Sequence, residues 1–137
     1  MIYVFDASFV GALIIPDEKN MQVGRLFGKI ENEDEKHAPQ LLWYEITNLF
    51  KNLFRRRRYT ENEIMTFYHR LADFYFIVDA ETGVEYSKKL LRLCNDYNLS
   101  SYDAAYLELA ERKKAVLCTM DGNLRAAAKN YGVAVLR

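Results

Sequence analysis

Asp6 closes the run Met1-Ile2-Tyr3-Val4-Phe5, and a hydroxyl, Ser8, follows two positions later. A short β-branched and aromatic run that stops on a carboxylate reads as a buried strand with chemistry at its tip. Three further acids, distant in sequence, stand where chain direction can bring them beside it: Glu45, Asp103 and Asp121. Carboxylates gathered in this way repel by about 4 kcal/mol per close pair at an effective dielectric of 20, and only cations or raised pKa values relieve the cost. With no His or Cys at ligand spacing, an all-oxygen set favours Mg²⁺ or Mn²⁺ over zinc. Ions held so at a phosphodiester activate a water and steady the leaving oxygen.

The elements that must position these acids follow from apolar spacing. After the first strand, Asp6 or Ser8 caps a short helix through Phe9, Val10 and Leu13, closed by Pro16 and Asp17. Val23, Leu26, Phe27 and Ile30 recur at helical spacing, and an acidic loop over residues 31–35 follows. Residues 36–38 are weak strand material before Pro39 opens a helix over about 40–56, with Leu42, Ile46, Leu49, Phe50 and Leu53 inward. That stripe leaves Glu45, Asn48 and Asn52 as a polar line along its flank. Thr60 and Glu63 form a capping box for a helix carrying Ile64, Phe67, Leu71 and Phe74, and residues 75–78 read as the next strand. Val84, Leu91 and Cys94 mark another helix. Ser100 or Ser101 caps the one after it, which runs through Ala104, Ala105, Leu107, Leu109 and Ala110 into an apolar strand over 115–118. Asp121-Gly122 starts a last helix, Gly132 ends it in a left-handed cap, and residues 133–136 read as a final strand.

Strands that are continuous apolar runs, alternating with helices, predict an α/β fold with a parallel sheet covered on both faces. Crossover helices run antiparallel to such strands, so a helix that feeds tightly into a strand begins near that strand's carboxyl end. This places Asp103 at the carboxyl edge. Asp6 and Asp121 follow strand ends, and Glu45 lies in the second turn of a helix leaving the second strand. All four are therefore expected at the edge where open α/β sheets bind ligands.

Taken singly, Asp6, Asp103 and Asp121 are ordinary acids for helix caps and first turns, and Glu45 an ordinary surface residue. Their conjunction from four separate segments is what argues for a site. Ser8 and Thr119 are first caps, and second the hydroxyls beside a metal. Arg55, Arg56, Arg57 and Arg58 end the Glu45 helix, where they serve either as a solvated cluster favoured by the helix dipole or as contacts to nucleic-acid phosphates. Tyr44 and Tyr59 are candidates to stack on unpaired bases. His37 and His69 are isolated and are not read as ligands.

The 137 residues, half of them hydrophobic, suit one domain spanning 1–137. Nineteen basic and nineteen acidic residues cancel, so any nucleic acid must be held by a local patch. Cys94 and Cys118 fall in an apparent helix and an apparent strand, as core thiols of a reduced intracellular protein do. No apolar stretch is long enough to span a membrane, and a cytoplasmic location is expected.

Asp6-Ala7-Ser8, Ala38-Pro39 with Glu45-Ile46-Thr47-Asn48, the segment from Leu99-Ser100-Ser101-Tyr102-Asp103 to Ala110, and Thr119-Met120-Asp121 resemble PIN-domain ribonucleases of the VapC toxin type. The resemblance spans nearly the whole chain and is most specific around Asp103. It implies a five-stranded parallel sheet in the order 3-2-1-4-5 and a Mg²⁺- or Mn²⁺-dependent endoribonuclease acting on single-stranded or structured RNA. It also implies a homodimer, a cognate antitoxin, and catalytic and metal-binding positions at Asp6, Glu45, Asp103 and Asp121. Some relatives carry another acid two positions after the last Asp, where this chain has Asn123. Two alternatives stand beside this reading. One is a binding module with the fold but no activity. The other is an aspartate-based phosphatase, which would want a second Asp at the position of Ser8.

Overall fold

The computed structural model describes residues 1–16 and 21–137. Four strands form one parallel sheet: β1 (Ile2–Phe5), β2 (Glu35–Pro39), β3 (Ile77–Asp79) and β4 (Val116–Cys118), in the order β3-β2-β1-β4. The helices between and after them are α1 (Ala7–Ile14), α2 (Met21–Phe27), α3 (Leu41–Arg55), α4 (Glu61–Ala72), α5 (Val84–Tyr97), α6 (Ser101–Lys113) and α7 (Gly122–Tyr131). Among the described residues, no helix is long and apolar enough to cross a membrane.

β1 is central, pairing Val4 with His37 of β2 on one side and with Leu117 of β4 on the other. Its alternate residues enter two different cores. Phe5 joins Phe9, Phe50 and Phe67, whereas Val4 joins Leu107, Leu117 and Leu124. A strand buried on both faces has no reason to alternate polar with apolar, which is why the run before Asp6 is continuously apolar. α6 is buried without interruption from Ala104 to Ala110 and lies against β1, β2 and β4. Three alanines in that stretch allow the close approach, and Ser100 caps the helix at its start.

Several expectations are refined. The predicted fifth strand over residues 133–136 lies beside β4 in the expected place, but only Val135 bridges to Leu117, so among the described residues the sheet has four strands. β4 is three residues long and leaves its outer edge room for little more than the bonds between Leu117 and the backbone of Ala134 and Leu136. β3 begins at Ile77 and not at Tyr75, because Tyr75 takes a left-handed φ of 53° in the turn after α4. It is an edge strand, with Ile77 47% and Val78 38% exposed. Leu49 is half-buried on α3. Asp17, expected to help close the first helix, lies outside the described residues. The Thr60–Glu63 capping box and the left-handed Gly132 (φ 89°) are as expected. His37 is held by Glu35, with Nε2 2.7 Å from Oε2. Cys94 and Cys118 are free thiols, the latter buried.

Candidate active site

β1 delivers Asp6 to the carboxyl edge of the sheet, where its N–H donates to the Cys118 carbonyl at 3.1 Å. The carboxylate caps α1, Oδ1 accepting from the Phe9 N–H at 2.9 Å and from the Ser8 hydroxyl at 2.7 Å. Thr119 donates its hydroxyl to Oδ2. Asp6 is only 4% exposed. Burial pushes its carboxyl upward, the three hydrogen bonds pull it down, the Asp121 charge raises it, and the net direction is up.

The two hydroxyls also join the loops. Ser8 Oγ accepts from the Met120 N–H at 2.9 Å, and Thr119 Oγ1 accepts from the Asp121 N–H at 3.0 Å. The chain after β4 is thereby fastened to the start of α1. Asp121 caps α7 through the Leu124 N–H at 2.9 Å, and Arg125 donates to the Thr119 carbonyl at 2.9 Å.

Asp103 stands in the first turn of α6, its N–H donating to Ser100 Oγ at 3.2 Å. Its carboxylate accepts no hydrogen bond from a described residue. Burial, then the charges of Asp121 and Asp6, raise its pKa. Glu45 on α3 is likewise raised, by burial and then by Asp6 and Asp103, against the pull of a hydrogen bond from Tyr106. That bond runs from the Tyr106 hydroxyl to Glu45 Oε1 at 2.8 Å. Burial and the Glu45 charge drive the Tyr106 phenol far up, so it stays a donor.

The four acids thus lie toward one edge, close enough for charge to be felt among them. Asp6 feels Asp121, Glu45 feels Asp6 and Asp103, and Asp103 feels both other aspartates. Among the described residues, no Lys or Arg forms an ion pair with any of the four. Nor do three His, Cys, Asp or Glu side chains there form a ready ligand set. Asp6, Glu45 and Asp121 each spend oxygens on donors of the chain itself. The donor chemistry fits a hard divalent cation nonetheless: carboxylate and hydroxyl oxygens only, with negative charge that no ion pair among the described residues offsets.

A groove of about 600 Å³ opens beside the acids, lined by Ser8, Tyr44, Glu45, Asn48, Asn52 and Tyr102, with Leu41 and Leu49 among its apolar walls. Asn52 also lines a smaller hollow with Arg55 and Arg56. Arg57 and Arg58 line another hollow with Tyr59, Thr60 and Glu63, which Arg55 also borders. Arg55 and Arg56 thus adjoin Asn52 of the groove, and Arg55 stands between the two hollows. Tyr59 packs edge-on against Phe67 at 5.0 Å, so it is a core ring and not a free stacking surface. The sequence analysis gave Tyr106 no role of its own. Its place three residues after Asp103, on the same helix face, was the available signal.

The family model described as the PIN domain matches residues 3–130. This chain belongs to the PIN-domain family. The PIN domain is 31% identical over 124 residues to Ribonuclease VapC3 of Pyrobaculum aerophilum, covering 90% of this chain and 92% of that protein. The crystal structure of PAE2754 from the same organism superposes with a TM-score of 0.71 at 24% identity, covering 98% of the PIN domain and 83% of that chain. Mycobacterium tuberculosis VapC20, described as a sarcin-ricin loop cleaving toxin, superposes at 0.70 with 18% identity, over 100% of this chain and 99% of its own. These structural likenesses bear on the fold.

Proposed function

We propose that this PIN domain is a metal-dependent endoribonuclease of the VapC type, hydrolysing RNA phosphodiesters as the toxin of a toxin-antitoxin pair. The observation that carries it is the convergence of Asp6, Glu45, Asp103 and Asp121, from four segments, on one edge of the sheet, where no Lys or Arg among the described residues pairs with them. Identity to a named ribonuclease over nine-tenths of the chain supports the same reading. The ion is Mg²⁺ or Mn²⁺, held by the four carboxylates with Ser8 and Thr119 beside them. When bound, it supplies neutralisation of the scissile phosphate and a lowered pKa for the attacking water.

The side chains divide the remaining work. Ser8, Thr119 and the Phe9 N–H fix both oxygens of Asp6, so the central carboxylate cannot turn away from the shared space. Tyr106 fixes Glu45 through Oε1. Asp103, whose carboxylate takes no such bond and whose pKa is raised, would take the proton of the water that attacks phosphorus, while the ester oxygen released as its P–O bond breaks takes a proton from solvent. Arg55 and Arg56 hold phosphates further along the strand. A homodimer, a cytoplasmic location, a domain spanning the whole chain and an antitoxin that covers the site complete the reading.

The experiment is cleavage of total RNA with mapped ends in Mg²⁺, Mn²⁺ or EDTA, alongside Asp6→Asn and Asp103→Asn proteins checked by circular dichroism. Cutting that needs metal and vanishes in both folded variants is expected. Variants that cut as well as the parent would overturn the assignment. Metal-independent RNA binding without cutting would return the chain to a binding module.

A further inference from the structure

We infer that Tyr44 and Tyr102 form a stacking subsite for an unpaired base of the substrate, immediately beside the carboxylates. The inference rests on the ribonuclease reading and adds to it the groups that hold a base. The two tyrosines come from different helices, α3 and α6, yet line the same groove as Glu45 and Ser8. Each is the residue directly before a site acid, Tyr44 before Glu45 and Tyr102 before Asp103. Tyr44 is 73% and Tyr102 62% exposed. Neither makes a ring contact or hydrogen bond with a described residue, whereas Phe5, Phe9, Phe50, Tyr59, Phe67, Phe74, Phe76 and Tyr97 all pack against other rings.

Two exposed rings over a cleft with apolar walls at Leu41 and Leu49 suit a flat ligand with an apolar face. A base inside a duplex has both faces stacked and its pairing edge occupied, so only an unpaired base can use such rings. The amides of Asn48 and Asn52, which make no side-chain hydrogen bond with a described residue, offer a donor and an acceptor each to the free edge of that base. The groove volume of about 600 Å³ lies within the roughly 300–1,000 Å³ usual for small-ligand clefts. Beyond Asn52 the hollow with Arg55 and Arg56 receives the adjoining phosphates.

The test uses the Asp6→Asn protein, in which binding is measured without cutting, and a labelled single-stranded oligoribonucleotide against its duplex by fluorescence anisotropy. Tyr44→Ala and Tyr102→Ala should each weaken single-strand binding about 5- to 150-fold, the range that stacking of about 1–3 kcal/mol per base implies. Tyr→Phe at either position should retain it, and duplex binding should not change. Alanine variants that bind the single strand as tightly as the Asp6→Asn parent would overturn the subsite, as would equal loss on the duplex or no binding of single strands at all. The latter result, or tyrosines needed only for a protein partner, would assign the rings to an interface. Cutting by protein with Asp6 intact reports separately on the ribonuclease reading, which can fail while tyrosine-dependent single-strand binding persists.

Discussion

Tyr106, deep in α6, donates its hydroxyl to Oε1 of Glu45 on α3 at 2.8 Å, and so ties two of the segments that supply acids to the site. Tyr106 is 1% exposed and its ring packs in the core, so Glu45 is held by a group that cannot itself move. Tyr106→Phe keeps the ring and removes only the donor. A hydrogen bond to a charged group contributes about 1.5–3 kcal/mol. The variant is expected to cut RNA about tenfold or more slowly, with kcat falling and KM little changed. Mn²⁺ affinity measured by calorimetry should fall with it, while the far-ultraviolet dichroism stays that of the parent. An unchanged Mn²⁺ affinity would make the bond a packing detail.

The carboxylates should also weaken the metal-free protein. The Asp103 pKa in the folded chain is raised above its ordinary 3.8, by burial first and by Asp121 and Asp6 next. A raised acid binds protons more readily folded than unfolded, so its ionisation costs stability. The cost is absent below the unfolded pKa and fully present above the folded one. Asp103→Asn is therefore expected to raise Tm at neutral pH in EDTA, and the gain should shrink as pH falls through the raised pKa. Mg²⁺ should stabilise the parent more than the variant. Calorimetric scans across pH, with and without the ion, check both parts.

Asp79 presents the opposite sign. Burial pushes its carboxyl up, but the Arg112 guanidinium, donating at 3.1 and 2.7 Å, overrides this and holds it below the usual range. Stability from this pair is present above the unfolded value and is lost as pH falls through the folded one. Asp79→Asn should lower stability by about 1–2 kcal/mol at neutral pH, since the pair is bidentate but partly solvated. Denaturant titrations at neutral and strongly acidic pH should show the difference from the parent closing in acid.

The arginines make a prediction about salt. Each phosphate contact to a single strand contributes about 0.7 to the slope of log affinity against log salt. Arg55 and Arg56 border the hollow that adjoins Asn52, whereas Arg57 and Arg58, with Arg55, line a second hollow against Thr60 and Glu63. Replacing the first two by Gln should lower the slope by up to about 1.4, and replacing the second two should change it less. Equal slopes throughout would leave the run as a solvated helix end.

The placement of the four acids was legible in the sequence because chain direction alone decides which end of a helix or strand lies at the carboxyl edge. Asp6, Asp103 and Asp121 needed only the order of elements, and Glu45 needed the angular position of a polar flank. The central strand was equally plain, since burial on both faces removes alternation. The margins were less legible. Whether residues 133–136 become a strand depends on how long β4 offers an edge, and the start of β3 on the left-handed turn at Tyr75. Neither is written in hydrophobic pattern. Tyr59 was read as a ring free to stack, whereas it packs on Phe67, and Tyr106 was given no role because apolar spacing says nothing of where a hydroxyl points.

The unbroken burial of α6 from Ala104 to Ala110 has a consequence for how this site is lost. Amides in a helix covered on every side exchange with solvent chiefly when the whole domain opens, not by local fraying. Tyr106 sits within that stretch and half-buried Asp103 stands immediately before it, so the hydroxyl that holds Glu45 is expected among the slowest-exchanging parts of the molecule. The bond between Tyr106 and Glu45 is therefore expected to open only when the core around α6 opens with it.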